Sequence, residues 1–101
     1  GHGTLRFDRT RDDGICIARL QGKAVRILPR QGGERFRPDA RRPRRELKKL
    51  LQENGVPPWQ RERLPLLWCG EELVWVPGIG IDCAWQCRKG EAGLLPVWMQ
   101  Q

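Results

Sequence analysis

Glycine and proline punctuate this 101-residue chain so closely that one stretch, Arg44 to Asn54, stands out as a helix. Pro43 stands at or before its first turn, where a missing N–H costs little, and Gly55 followed by Pro57-Pro58 is a stop signal. Leu47, Leu50 and Leu51 recur at the i, i+3, i+4 spacing that turns one helix face to a core. Arg45, Lys48, Lys49 and Gln52 fall on the opposite side, so the polar face is cationic.

The flanking sequence reads as strands and turns. Leu5-Arg6-Phe7 makes a short strand, and Asp12-Asp13-Gly14 a turn. Ile15 to Leu20 and Ala24 to Leu28 make a hairpin about Gln21-Gly22, with Ile15, Ile17, Val25 and Ile27 inward. Gln31 to Pro43, rich in Gly, Pro and interleaved charge, is a loop, and so long a loop in a small domain is functional or mobile. Pro57-Pro58 starts a helical turn over Trp59 to Leu64. Leu66 to Cys69 and Glu72 to Val76 are strands joined at Gly70-Glu71, and Ile81 to Cys87 is another. Arg88 to Gly93 is a turn, and Leu94 to Met99 a last strand that Pro96 assigns to a sheet edge. The expectation is an α+β fold: a small, mostly antiparallel, sandwich-like sheet domain with one main helix and an Arg-rich loop. The length fits one domain over residues 1–101, with residues 1–3, opening on Gly1-His2, read as an expression scar.

Charge is distributed unevenly. The chain carries 19 Lys+Arg against 12 Asp+Glu, a net +7. Residues 26–63 hold twelve of the cations and five of the acids, so the whole excess resides there, with seven Arg between residues 30 and 45. The planar guanidinium fork matches phosphate, so a phosphate-facing patch competes with a merely solvated surface.

Other chemistries are excluded or unsupported. His2 is the sole histidine, which removes a Ser-His-Asp or Cys-His site and any two-histidine zinc site. Cys16, Cys69, Cys83 and Cys87 lack the paired close spacing of a zinc knuckle, and reduced, buried or half-buried thiols are expected. Read as a strand, the stretch from Cys83 to Cys87 spans about 13 Å, too far for a disulfide. No Walker or dinucleotide loop is present, and Gly78-Ile79-Gly80 reads as a turn or bulge. Neither a transmembrane run nor a secretory leader is expected. The narrow three-leucine stripe of the helix argues against a membrane-surface role. Trp68, Trp75, Trp85 and Trp98 sit in packing contexts, whereas Trp59, beside a basic turn, is the exception that invites base stacking.

Gly55-Val56-Pro57-Pro58-Trp59-Gln60-Arg61-Glu62-Arg63-Leu64-Pro65-Leu66-Leu67, preceded by Leu47-Lys48-Lys49-Leu50-Leu51-Gln52-Glu53, resembles the C-terminal, tRNA-binding domain of bacterial tRNA(Ile)-lysidine synthetases. Gly33-Glu34-Arg35-Phe36-Arg37-Pro38 and Gly70-Glu71-Glu72-Leu73-Val74-Trp75-Val76-Pro77-Gly78-Ile79-Gly80 extend the resemblance over about residues 30 to 81. Trp68 stands where an aromatic such as tyrosine is usual, Trp75 and Pro77 replace smaller residues, and the glycine that follows Arg-Phe-Arg-Pro in the family is not evident in Asp39 to Arg42.

The resemblance implies a multidomain ligase that uses ATP, with Mg, to activate an anticodon-loop cytidine of an isoleucine tRNA and attach lysine to it. Its ATP loop, of the type Ser-Gly-Gly-x-Asp-Ser, belongs to an N-terminal catalytic domain and is absent from this sequence. The chain then looks like the C-terminal piece, cytoplasmic, with no catalytic residue, cofactor or metal of its own. Its partners would be the isoleucine tRNA, gripped towards the acceptor stem, and the N-terminal domain of the same enzyme.

The residues expected to meet RNA are Arg35, Arg37, Arg41 and Arg42 as bidentate phosphate donors, with Arg45, Lys48 and Lys49 as a second row. Arg61 and Arg63 match the family motif, against a competing structural ion pair with Glu62 or another acid. Arg6, Arg19 and Arg26 read as plain surface charges on strands. The alternative function is an interdomain or protein-interaction module with a basic surface and no direct RNA role.

Overall fold

Leu66-Leu67-Trp68-Cys69 and Leu73-Val74-Trp75-Val76 are continuous apolar runs, and strands of that kind must be covered on both faces. The computed structural model, which describes residues 3–100, builds the fold around them. In chain order the elements are β1 (Gly3–Arg11), β2 (Ile15–Cys16), α1 (Ile17–Leu20), β3 (Val25–Leu28), β4 (Arg35–Phe36), β5 (Arg45–Glu46) and α2 (Leu47–Glu53). There follow α3 (Pro58–Arg61), β6 (Leu66–Cys69), β7 (Glu72–Val76), β8 (Gly80–Ile81), a 3-10 turn at Cys83–Trp85, and β9 (Ala92–Gln100).

All strand pairings are antiparallel. A central sheet runs β3-β6-β7-β8, an outer sheet β1-β9-β2, and β4 with β5 forms a short ribbon. Leu66, Leu73 and Val76 on one side of the central sheet pack with Phe36 and with Leu47, Leu50 and Leu51 of α2. Leu67, Cys69, Val74 and Trp75 form a second cluster with Ile15 and Trp85, against which Leu5 and Trp98 of the outer sheet pack. This is the expected α+β, sandwich-like arrangement.

The helix stops as its sequence requires. Gly55, at φ +70°, donates to the Gln52 carbonyl at 3.1 Å, and Val56 donates to the Leu51 carbonyl at 3.0 Å. These are the two bonds of a left-handed C-terminal cap, and Val56 packs against the same cluster as Leu51.

Elsewhere the structure corrects the sequence reading. Ile15 to Leu20 is not a strand: two residues pair with β9, and the next four coil into α1. No hairpin forms with Val25–Leu28, because β3 pairs with β6 instead. As an edge strand of the central sheet, β3 leaves Val25 and Ile27 exposed rather than inward. The helix begins at Leu47, since Arg45 and Glu46 pair with β4. The strand expected over Ile81 to Cys87 ends at Ile81, where Asp82 caps the 3-10 turn by accepting from the Ala84 N–H at 3.1 Å. The 13 Å strand spacing of Cys83 and Cys87 therefore lapses, and all four thiols are free. β1 is nine residues long rather than three, and Gly3 is its first residue. β9 is the middle strand of the outer sheet, with Pro96 beyond the two positions that β2 covers. The reading of Gly1-His2 as a scar lies outside the described residues.

Candidate nucleic-acid interface

The Arg-rich segment is held by buried anchors. Phe36 is fully buried, and its strand partner Arg45 leads directly into α2. In a strand, burying one side chain turns its neighbours the other way, and Arg35 lies exposed.

Two buried carboxylates organise the rest. Asp82, 1% exposed, accepts from the Arg37 N–H at 3.0 Å, the Ala84 N–H at 3.1 Å and Arg44 Nη1 at 2.8 Å. The Cys83 N–H returns a bond to the Arg37 carbonyl at 2.8 Å, so the start of the loop is clamped to the turn after β8. Glu34 accepts from the Gln31 N–H at 2.7 Å and the Gly32 N–H at 3.1 Å, while its main-chain carbonyl receives the Leu47 N–H at 2.8 Å. A carboxylate withdrawn from water is tolerable only with such donors. The sequence reading missed Asp82, Glu34 and Arg44. Asp82, one residue before a short helical turn, carries a capping signal that was legible.

The nine expected contact residues divide into distinct groups. Arg37 donates Nε to the Arg42 carbonyl at 2.7 Å and Nη2 to the Ala40 carbonyl, which closes the loop on itself. Arg61 donates Nε to the Val56 carbonyl at 2.8 Å and so braces α3 against the end of α2. Its partner is thus a carbonyl rather than the acid considered from sequence. Arg45 forms a two-point pair with Glu53, at 2.6 and 2.9 Å. Arg35 spends Nη2 on the Arg44 carbonyl at 3.0 Å. Arg41 pairs with Asp39 at 3.1 and 3.3 Å, yet its side chain is 90% exposed. Arg42, Lys48, Lys49 and Arg63 are exposed and make no side-chain hydrogen bond or ion pair among the described residues.

The electrostatics follow this division. The hydrogen bond from Arg41 holds the Asp39 carboxyl below its usual range, and the bond from Arg45 does the same for Glu53. The two guanidinium groups are pushed up in return. An exposed pair such as Asp39–Arg41 is readily exchanged for another anion, whereas Arg45 is held in a half-buried two-point pair.

Of the cations read as plain surface charges, Arg6 pairs with Asp8 at 2.9 Å and Arg26 donates to the Gly70 carbonyl at 3.1 Å. Arg19 lies on α1 rather than a strand and donates to the Ala84 carbonyl. Trp59 is 72% exposed, while Trp75 and Trp85 are buried and Trp68 and Trp98 half-buried.

Among the described residues, no group of three or more His, Cys, Asp or Glu is placed to hold a metal ion. No helix among them is long and apolar enough to cross a membrane.

Residues 25–98 match the family described as the TilS substrate C-terminal domain. The chain is 55% identical over 96 residues to a tRNA(Ile)-lysidine synthase of Nitrosomonas europaea, covering 95% of this chain and 21% of that protein. It is 40% identical over 99 residues to the tRNA(Ile)-lysidine synthase of an Azoarcus species, covering 98% and 22%. Over 72 residues it is 49% identical to that of Burkholderia pseudomallei, covering 71% and 14%. The chain thus spans about a fifth of the length of the first two of these curated relatives.

Proposed function

The chain belongs to the TilS substrate C-terminal domain family, and on that premise we propose that it is the tRNA-gripping part of a tRNA(Ile)-lysidine synthase. The observation that carries this reading is the set of exposed, unpaired cations Arg42, Lys48, Lys49 and Arg63, carried on a loop, a helix and a turn that are anchored to the core. An RNA stem offers a phosphate ladder and a shallow minor groove, while its base edges in the major groove are out of reach of side chains. Cations on a firm frame suit phosphate and shape recognition of such a stem. The acceptor stem of an isoleucine tRNA is the proposed target.

The parent enzyme would be a cytoplasmic ligase that joins lysine to a tRNA cytidine at the expense of ATP with Mg. The residues present do not fit a nucleoside triphosphate. Gly78-Ile79 lies in the turn between β7 and β8, with Gly80 the first residue of β8, and Gly32-Gly33 leads towards β4, so neither opens a helix. The ATP chemistry is therefore assigned to the rest of the enzyme, with which this chain would cooperate.

Titration of the 101-residue chain against an isoleucine tRNA transcript, followed by fluorescence anisotropy, tests the proposal. Affinity that falls steeply with salt is expected, and absent affinity at low salt or a flat salt response refutes it. The alternative, an interaction module facing acidic groups of a neighbouring domain, predicts another outcome. Reversing Arg42, Lys48 and Lys49 to Glu would then release the domain contact and leave tRNA affinity unchanged.

A further inference from the structure

Four of the five tryptophans are built into the protein, and one is not. Trp75 and Trp85 are 5% and 4% exposed, and Trp85 donates Nε1 to Glu72 at 3.0 Å while Lys23 lies over its ring. Trp68 and Trp98 pack against the two core clusters, with their indole N–H groups in the interior. Trp59 stands 72% in water.

Its backbone is nonetheless firmly set. Pro57 precedes α3 and Pro58 opens it, so both φ angles are fixed by rings. The N–H groups of Gln60 and Arg61 both return to the Pro57 carbonyl, at 3.0 and 3.3 Å, and Arg61 Nε ties the turn to Val56. The indole is thus presented from a rigid turn, and its two side-chain torsions leave little entropy to lose on contact. In the chain it lies between the unpaired cations Lys48 and Lys49 on one side and Arg63 on the other.

We propose that Trp59 is a stacking platform for an unpaired nucleobase where the gripped RNA stem gives way to single strand. The proposal rests on the RNA-binding reading above and deepens it. The cations hold phosphates, which run along the stem and the strand alike, whereas the indole face holds a base only once that base has left the duplex. Base–aromatic stacking tolerates any base, so the contact reads strandedness rather than sequence.

The test uses two synthetic RNA hairpins with the same stem and a single-stranded tail of equal phosphate count, one tail of uridines and one abasic. Anisotropy titrations compare the 101-residue chain with Trp59→Ala and Trp59→Phe, with melting curves to confirm that each variant folds. The parent should bind the uridine tail about 5- to 150-fold more tightly than the abasic tail. Trp59→Ala should abolish that difference with its salt slope unchanged, and Trp59→Phe should keep part of it. If the parent binds both hairpins equally with a steep salt response, or if Trp59→Ala binds the uridine tail as the parent does, stacking is overturned and the phosphate grip stands. Those are also the results expected if the indole serves a protein contact. If the parent binds neither hairpin, the RNA-binding reading falls and stacking falls with it.

Discussion

Lys48 and Lys49 are both exposed on α2 and have no acidic partner among the described residues, and so offer a clean perturbation of the proposed phosphate grip. Each phosphate contact on a nucleic acid adds about −0.7 to −0.9 to the slope of log K against log salt. The four unpaired cations Arg42, Lys48, Lys49 and Arg63 therefore imply a slope of about −3, and the double variant Lys48→Gln/Lys49→Gln one of about −1.5. Between about 50 and 200 mM salt the parent should lose about 60-fold in affinity, and the double variant about 8-fold. Glutamine and lysine have similar helix propensity, and neither lysine touches the core, so melting should be unchanged. Arg45→Gln is the counterpart: it breaks the two-point pair with Glu53 and should lower the melting temperature while leaving the slope nearly intact. Anisotropy of labelled isoleucine tRNA across a salt series, with thermal melts alongside, supplies both readouts. The division into free and structural cations is refuted if the double variant keeps the parental slope. It is refuted equally if Arg45→Gln flattens the slope without moving the melt.

Three further outcomes follow from the frame. Asp82→Ala leaves the Arg37 and Ala84 N–H groups and the Arg44 guanidinium without their shared acceptor, and should cost about 3–5 kcal/mol in urea unfolding. A loss below about 1 kcal/mol would show that the clamp is dispensable. Leu51→Ala empties a fully buried site beneath α2 and should cost about 2–5 kcal/mol by the same measurement. Glu53 titrates below its ordinary value of 4.5 because Arg45 donates to it, so the pair supports the fold above that value. That support is lost as pH falls through the lowered value. The melting gap between the parent and Glu53→Gln should accordingly be constant near neutrality and close in acid. A gap that persists unchanged at the lowest pH would exclude the pair as its source.

What could be read from the sequence was what is settled locally. The leucine triad of α2, its stop at Gly55, the proline-led turn of α3 and the β6–β7 hairpin about Gly70 each depend on residues within a few positions. Strand partnership does not. Ile15 and Ile17 alternate as a strand would, yet Ala18, Arg19 and Leu20 favour helix, and the partner that β2 finds is Gly93–Leu94. Likewise nothing near Val25 specifies that it will pair with Cys69, or that Leu5 will lie opposite Trp98. Short strands reveal their own conformation more readily than the identity of their neighbour, which is why the expected N-terminal hairpin was replaced by pairings across most of the chain.

The sequence shows where the cations concentrate but not which of them the fold leaves free, and the reason lies in the guanidinium itself. Its five donors suit a main-chain carbonyl as well as a phosphate oxygen. Arg37 and Arg61 are spent on carbonyls and Arg45 on Glu53, eight positions away, because β5 rather than a helix carries it. No helical pairing rule covers that spacing. Lysine presents a point charge without the fork, and Lys48 and Lys49 stay free. Internal pairing leaves the net charge of residues 26–63 at +7 all the same, since each pair removes one charge of either sign. The long-range field that would draw in the proposed RNA stem thus depends on every arginine of the segment, structural ones included. The salt slope at contact depends only on those that reach phosphate. On the proposed phosphate grip, a composition-based count would overstate the number of contacts while still describing the attraction, and association rate and salt slope should part company among the arginine variants.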